Sequence, residues 1–383
     1  MDHRPALPVV LVAHPNPELY GADRMLLETV QGLISQGSRV VVTLPDQGPL
    51  VQEMERRGAT VQICPTPVLR KSSVNALGLV RLAAETLRDS VHGLKLIRRV
   101  RPDVVYVNTV TVPLWILLAR VTGRPVLSHV HEAEKSASKV LKLALAAPLL
   151  LANSLLANSR YSADVLTEAI PRLRRKIEVV YNGVPGPAQL TEPRLINSAP
   201  MRLLYVGRLS SRKGVDVAIV AVSKARQRGL DLHLDIVGAV YPGYEWYEQK
   251  LRTLVDQLDL QQHVTFHGFH SDVWPFLVKT DVAIVPSRID EPFGNTAVEA
   301  LLAARPLIVS DTSGLREAAG GYQSPQFIAP DDAEAMADAV ELIGNNWDFY
   351  RVAATADARL ASQRHSPLKY QHLVNQAINA LPR

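Results

Sequence analysis

Two short segments concentrate residue types suited to phosphate and sugar. The first is Gly207-Arg208-Leu209-Ser210-Ser211-Arg212-Lys213-Gly214, set between the apolar run Arg202–Val206 and a helical pattern. A loop that leaves the carboxyl end of a parallel strand and enters a helix is where α/β folds bind ligands. Gly207 permits a tight turn. Arg208 and Lys213 bring two cations to it, and a helix N-terminus adds partial positive charge. That combination suits a phosphate or pyrophosphate; the plainer reading is a solvated basic turn. The GxxxxGK[ST] spacing of a P-loop is absent.

The second segment is Glu291-Pro292-Phe293-Gly294-Asn295-Thr296-Ala297-Val298-Glu299, after the strand-like Val282–Pro286. Asn295 or Thr296 reads as a helix N-cap, so Gly294–Thr296 is expected to present backbone N–H groups. Glu291 falls in the loop before the helix and Glu299 near its first turn. Carboxylates suit sugar and ribose hydroxyls because each accepts several hydrogen bonds. The alternative is that Glu299 complements the helix dipole and Glu291 is a loop charge.

His129-Val130-His131-Glu132 ends another strand. The spacing is not HExxH and no third ligand is evident, so metal is disfavoured. A single His131 hydrogen-bonding a substrate competes with an ordinary satisfied histidine. The loop His14–Arg24 places Gly21 and Ala22 at a helix start, where backbone N–H groups can approach a ligand. It departs from GxGxxG, which removes the dehydrogenase fingerprint. No Asp-x-Asp pair is present to hold a divalent ion beside a diphosphate. No GxSxG is present, and Cys64 lacks the context of a nucleophile.

These segments need a scaffold, and the pattern supplies one. Short apolar runs recur at Val9–Ala13, Arg39–Leu44, Thr60–Cys64, Val104–Asn108, Pro125–Val130 and Ser154–Asn158, with helical patterns such as Ala22–Gln36 and Trp115–Val121 among them. Nearly all-apolar strands alternating with helices predict parallel sheets covered on both faces. Val184–Pro200 holds four prolines and no periodic pattern, and reads as a linker. The alternation restarts at Arg202–Val206, Leu232–Val237, Val264–His267, Val282–Pro286 and Pro306–Ser310, with helices over Val215–Arg228, Tyr244–Leu258, Asn295–Ala304 and Asp332–Ile343. Two α/β sheets on one chain predict a ligand cleft between domains. The expected division is 1–184, a linker at 185–200, a second domain at 201–365, and a C-terminal helix at 366–383. Asp348–Leu381 reads as two helices.

A length of 383 residues fits two domains, and 47% apolar with 21% charged residues excludes wholesale disorder. One cysteine excludes a disulfide scaffold and a cysteine-built zinc site. The N-terminus lacks a basic region followed by a long apolar one, so no secretory signal is read. Val140–Ala157 is too interrupted to span a membrane. The chain is therefore expected to be cytoplasmic. From Leu69 to Arg101, eight basic residues (Arg70, Lys71, Arg81, Arg88, Lys95, Arg98, Arg99, Arg101) against two acidic ones give +6, while the whole chain carries +5. This segment (69–101) is either a solvated helix face or a contact for an anionic membrane surface. Aromatics at 5% and without basic interleaving argue against nucleic acid.

Together the motifs resemble retaining family-4 glycosyltransferases of the GT-B fold: two Rossmann-like parallel-sheet domains facing a central cleft. The resemblance rests on Gly21-Ala22-Asp23-Arg24, His131-Glu132, Ala157-Asn158-Ser159, Tyr181-Asn182-Gly183-Val184, Val206-Gly207-Arg208 with Lys213-Gly214, and Glu291-Pro292-Phe293-Gly294 with Glu299-Ala300, in the family's order over nearly the whole chain. Two departures stand out: Tyr20 where a glycine is common, and Glu132 where the family often has aspartate. The resemblance implies transfer of a hexose or deoxyhexose from a nucleotide-diphosphate sugar to a glycan or lipid-linked acceptor. It implies retention of anomeric configuration and no cofactor or metal. Arg208 and Lys213 would bind the diphosphate, with Gly207 in the same loop, and Glu299 the ribose. Glu291 would hold the transferred sugar, with backbone N–H groups of Phe293, Gly294 and Asn295. His131 would lie beside that sugar. Gly21 and Ala22 would let the first loop approach the donor phosphate and the acceptor. A sugar-nucleotide epimerase of similar fold and a non-catalytic binding scaffold are the competing readings.

Overall fold

The computed structural model describes residues 8–69, 76–133, 135–196, 199–289 and 291–382, and of 76–83 the backbone alone. Arg70, Lys71, the side chain of Arg81, residues 1–7 of the N-terminal segment and residues 197–198 of the proline-rich segment lie outside the described residues. The chain divides into two units, Met1–Gly183 with Pro367–Arg383, and Val184–Ser366.

In the first unit the apolar runs become strands, the central ones buried on both faces and the edge strands, Thr60–Ile63 and Ile177–Val179, partly exposed. They are β1 (Val9–Ala13), β2 (Arg39–Leu44), β3 (Thr60–Ile63), β4 (Val104–Val107), β5 (Val126–Val130), β6 (Ser154–Ala157) and β7 (Ile177–Val179). All pair in parallel, in the order β3-β2-β1-β4-β5-β6-β7. Alternation sends Leu11 and Ala13 into one core, and Val10 and Val12 into the other. The helices are α1 (Gly21–Ser35), α2 (Pro49–Arg56), α3 (Ala76–Val100), α4 (Leu114–Val121), α5 (Lys139–Ala146) and α6 (Arg160–Ala169). Short α2 and the three-residue edge strand β7 escape the sequence pattern, because neither is long enough to show a period.

The second unit holds β8 (Met201–Val206), β9 (Leu232–Val237), β10 (Val264–Gly268), β11 (Val282–Val285), β12 (Leu307–Ser310) and β13 (Pro325–Ile328), parallel in the order β10-β9-β8-β11-β12-β13. Its helices are α7 (Val215–Gln227), α8 (Glu245–Gln257), α9 (Trp274–Lys279), α10 (Asn295–Leu302), α11 (Leu315–Ala319), α12 (Ala333–Asn345) and α13 (Trp347–Arg364). Strand β13 begins at a proline on the sheet edge, where a missing N–H is tolerated. Residues 184–196 form neither helix nor strand. They are fastened to this unit by Val184 N–H to the His365 carbonyl (3.0 Å), buried Arg305 to the Thr191 carbonyl (3.1 Å) and Trp347 Nε1 to the Arg194 carbonyl (3.0 Å).

The last helix, α14 (Pro367–Asn379), belongs to the first unit. Tyr370, Val374, Ala377 and Ile378 recur at helical spacing and bury against α1 and the sheet. A Cβ on Gly32 of α1 would lie 2.6 Å from Gln371 Cβ, so glycine permits the close approach. Among the described residues, no helix is long and apolar enough to cross a membrane.

Candidate functional site

In each sheet the chain reverses its direction of winding between two central strands: β1 and β4 in the first unit, β8 and β11 in the second. The carboxyl ends of strands beside such a reversal form the ligand-binding crevice of α/β sheets. Gly21, Gly207 and Glu291 lie on the segments that follow β1, β8 and β11, whereas His131 follows β5, one strand beyond the reversal.

In the second unit, Gly207 (φ +150°) directly follows β8 and its N–H donates to the Val237 carbonyl at 2.9 Å. The Arg208 guanidinium lies 3.5 Å from the centre of the Tyr241 ring, and the Tyr205 hydroxyl donates to the Arg208 carbonyl at 2.9 Å. The loop ends in a single 3-10 turn, Ser211–Lys213, and Gly214 (φ +67°) starts α7. A Cβ on Gly214 would lie 2.0 Å from the Pro286 carbonyl oxygen, so this loop and the one after β11 touch backbone to backbone.

The Lys213 ammonium crosses to the Glu291 carboxylate, which also accepts from the Ser287 hydroxyl at 3.0 Å. Burial pushes the Glu291 carboxyl up, but the Lys213 charge, hydrogen bonds from Lys213 and Ser287, and the Arg212 charge outweigh it and hold the group below its ordinary range. The Ser313 hydroxyl accepts from Glu291 N–H (3.1 Å), and Gly314 N–H donates to the Glu291 carbonyl (2.9 Å). Arg288 joins the same two loops. It grips both Asp216 oxygens (2.8 and 2.9 Å), Asp331 (2.7 Å) and the Ser211 carbonyl (2.7 Å).

Helix α10 corrects one expectation. Its N-cap is Gly294 at φ +114°, with no side-chain cap, and Asn295 is already the first helical residue. The φ of +114° is what calls for glycine there, and a Cβ would also lie 2.5 Å from Leu315 Cδ2 of α11. Phe293 is buried, with its ring edge-on to His365 at 5.6 Å. Glu299 lies just past the first turn of α10, as expected, and is buried.

In the first unit, Gly21 and Ala22 open α1, and Asp23 Oδ2 accepts from Tyr20 N–H at 2.7 Å. Asp23 Oδ1 meets His14 Nε2 at 2.7 Å, His14 Nδ1 meets Asn108 Nδ2 at 3.2 Å, and Asn108 Oδ1 meets His131 Nε2 at 3.0 Å. All four side chains are buried. The His129 ring lies 4.1 Å from that of His131, and its Nδ1 meets the Tyr106 hydroxyl at 2.6 Å. Burial lowers the pKa of His129 to about 3. Burial, then the charges of His129 and His14, lowers His131 well below the usual histidine value. Both rings are therefore neutral. Glu132 turns away from them, accepting from the Thr109 hydroxyl and from the N–H groups of Val110 (3.4 Å) and His131 (3.1 Å). Burial still pushes its carboxyl up. Among the described residues, no group of three or more His, Cys, Asp or Glu side chains is placed to hold a metal ion.

The structure thus brings Lys213 to Glu291 and ties Gly21 and Ala22, through Asp23, to His131. Sequence reasoning missed Ser287, the Asp216–Arg288 brace, and the His14–Asn108 link. The last becomes visible only when β1 and β4 are known to be neighbours.

Two family models match the chain: "Glycosyltransferase Family 4" over residues 20–185 and "Glycosyl transferases group 1" over residues 189–359. A glycogen synthase of Mycobacterium tuberculosis is 30% identical over 280 residues, 69% of this chain and 64% of that protein, so the chain spans under two thirds of that relative. The amylovoran biosynthesis glycosyltransferase AmsK of Erwinia amylovora is 27% identical over 45% of this chain and 44% of its own length. Among solved structures, Anabaena HepE in complex with UDP-glucose aligns with a TM-score of 0.81 and 19% identity over 98% of this chain and all (100%) of that one.

Proposed function

We propose that this chain, matched by one glycosyltransferase family model over each unit and sharing the GT-B fold, moves a hexose or deoxyhexose from a nucleotide-diphosphate sugar to a glycan or lipid-linked acceptor in polysaccharide biosynthesis. The transfer retains anomeric configuration and uses no metal ion. The observation that carries this reading is the Lys213–Glu291 pair, which joins the loops after β8 and β11, with Arg208 on the first loop and Gly294 opening α10 after the second.

A bound diphosphate offers Lys213 a stronger partner than one carboxylate. Lys213 then passes from Glu291 to phosphate, and Glu291 is released to accept from sugar hydroxyls. Arg208 is the second cation on the phosphates, Gly207 lets them approach the backbone, and Glu299 holds the ribose. The backbone at Phe293, Gly294 and Asn295 faces the sugar. As the bond from the anomeric carbon to phosphate oxygen breaks, negative charge grows on the diphosphate, and preorganised cations there are the largest available stabilisation. The acceptor oxygen bonds to the same face of that carbon, and its proton passes to a donor phosphate oxygen. His131 serves the transferred sugar, and Gly21 and Ala22 the donor phosphate and the acceptor.

A thermal-shift panel of nucleotide sugars, with and without EDTA, tests donor binding. Saturation at 100 times the dissociation constant adds about 2.7 kcal/mol. A selective shift that survives EDTA supports the reading. Product analysis then separates a new glycoside from an epimerised nucleotide sugar.

An anionic membrane surface is proposed as the contact of segment 69–101. On α3, Leu87 and Val91 are 75% and 50% exposed beside the exposed side chains of Arg88, Lys95, Arg98 and Arg99. The same helical layer adds exposed Leu117 and Val121 on α4 and Val140 and Leu143 on α5. Apolar side chains among cations suit anionic headgroups.

A further inference from the structure

We infer that Asp23, through His14 and Asn108, fixes the tautomer of His131, holding its proton on Nε2 and leaving Nδ1 as the ring's acceptor. Its consequence for catalysis rests on the transferase reading above; the tautomer itself does not.

The argument is one of donors and acceptors. A carboxylate only accepts, so Asp23 Oδ1 obliges His14 to donate from Nε2 (2.7 Å). In a neutral His14 ring, Nδ1 is then bare and needs a donor, which is Asn108 Nδ2 (3.2 Å). That fixes the orientation of the Asn108 amide and turns Oδ1 toward His131 Nε2 (3.0 Å) and the Tyr106 hydroxyl (3.3 Å), both of which must donate. With its proton given to Asn108, the Tyr106 oxygen accepts from His129 Nδ1 (2.6 Å). Reversing the amide would set the bare Nε2 of His14 against the Asp23 carboxylate in a buried site.

The chain leaves two ring nitrogens bare, His131 Nδ1 and His129 Nε2. These are the two histidine atoms of the cluster that are buried without a hydrogen-bond partner. An unpartnered lone pair is tolerated in a protein interior better than an unpartnered N–H. A histidine's proton follows the bond made by its other nitrogen, and here that bond is set three residues away. A hydroxyl that reaches His131 Nδ1 therefore finds only an acceptor, and Asp23, His14 and Asn108 are positioning residues.

The test is a two-bond 1H–15N spectrum of the full chain labelled at histidine, at pH 8 without nucleotide sugar, with His131 assigned from the His131→Gln variant. The expected wild-type signal is a single form with Nε2 protonated. Asp23→Asn, which can present either an oxygen or an N–H to His14, raises the Nδ1-protonated form of His131 at least tenfold. Asn108→Asp keeps the wild-type form because its oxygen still accepts from Nε2, whereas Asn108→Ala releases it. An Nδ1-protonated His131 in the wild type overturns the inference without any variant, as does an Asp23→Asn or Asn108→Ala spectrum unchanged from wild type. In transfer assays Asp23→Asn lowers kcat with donor KM within about twofold, and Asn108→Asp recovers activity over Asn108→Ala. A wild type that transfers no sugar defeats the transferase reading and leaves the spectroscopic result standing.

Discussion

Lys213 and Glu291, 78 positions apart in sequence, are joined by an ion pair that links the loops following β8 and β11. In the proposed donor site the two groups neutralise each other, each holding the place that a ligand atom would take.

Removing either cation therefore damages turnover more than folding. Lys213→Ala and Arg208→Ala are each expected to lower kcat by about 10²- to 10³-fold, the range for losing one oxyanion-type donor. Steady-state transfer kinetics with a saturating donor check this, and near-normal turnover in both variants defeats the assignment.

Two glycines with the same backbone angle are expected to differ sharply. At Gly123 (φ +68°) an added Cβ would meet nothing within 4 Å, whereas at Gly214 (φ +67°) it would lie 2.0 Å from the Pro286 oxygen. Gly123→Ala should cost about 1 kcal/mol, the left-handed penalty alone. Gly214→Ala should cost about 3 kcal/mol, because the clash forces the two donor loops apart. Denaturant melts give the difference, and equal costs would show that the loops separate freely.

The buried histidines make the first unit acid-sensitive. His129 falls to about 3 through burial, and His131 shifts the same way. A histidine kept neutral in the fold stabilises fully above its ordinary unfolded value, near 6.5, and loses that contribution as pH falls toward the folded value. Below about pH 6 each such ring removes about 1.4 kcal/mol per pH unit. His129→Gln should flatten the decline by that amount. Hydrogen exchange of β4 and β5 amides between pH 6 and 5 reads it, and an unchanged slope would mean that His129 is charged in the fold.

Vesicle flotation at low salt examines the α3 surface. Full-chain protein should bind vesicles rich in an anionic lipid and not neutral ones. Arg98→Glu with Arg99→Glu should weaken binding steeply, at about 1 kcal/mol per basic residue lost near the surface. Leu87→Glu should weaken it at every salt concentration. Equal binding to neutral vesicles would remove the electrostatic account.

Much of the fold is legible in the order of residues alone. Unbroken runs such as Val104–Val107 can be only strands covered on both faces, and both sheets follow from them. The loops at Gly207–Gly214 and Glu291–Glu299 are legible because glycine, cations and carboxylates gather at strand ends. The Asn295 cap misleads because Asn is an excellent capping residue, while Gly294 takes that position by a left-handed turn that Leu315 seals. Asp23, His14 and Asn108 give no local signal. They meet only because β1 lies beside β4 although three helices and two strands separate them in sequence, and strand order is a property of the whole sheet.

The return of α14 has a consequence for biosynthesis. Tyr370, Val374, Ala377 and Ile378 close a face of the unit whose first strand is Val9–Ala13. On the ribosome, that face waits uncovered while all of Val184–Ser366 is made. The second unit, whose own strands and helices are contiguous, can complete its fold in the interval. The unit begun first is finished last, and the apolar surface around Leu26, Val30 and Leu33 stays uncovered until α14 is made.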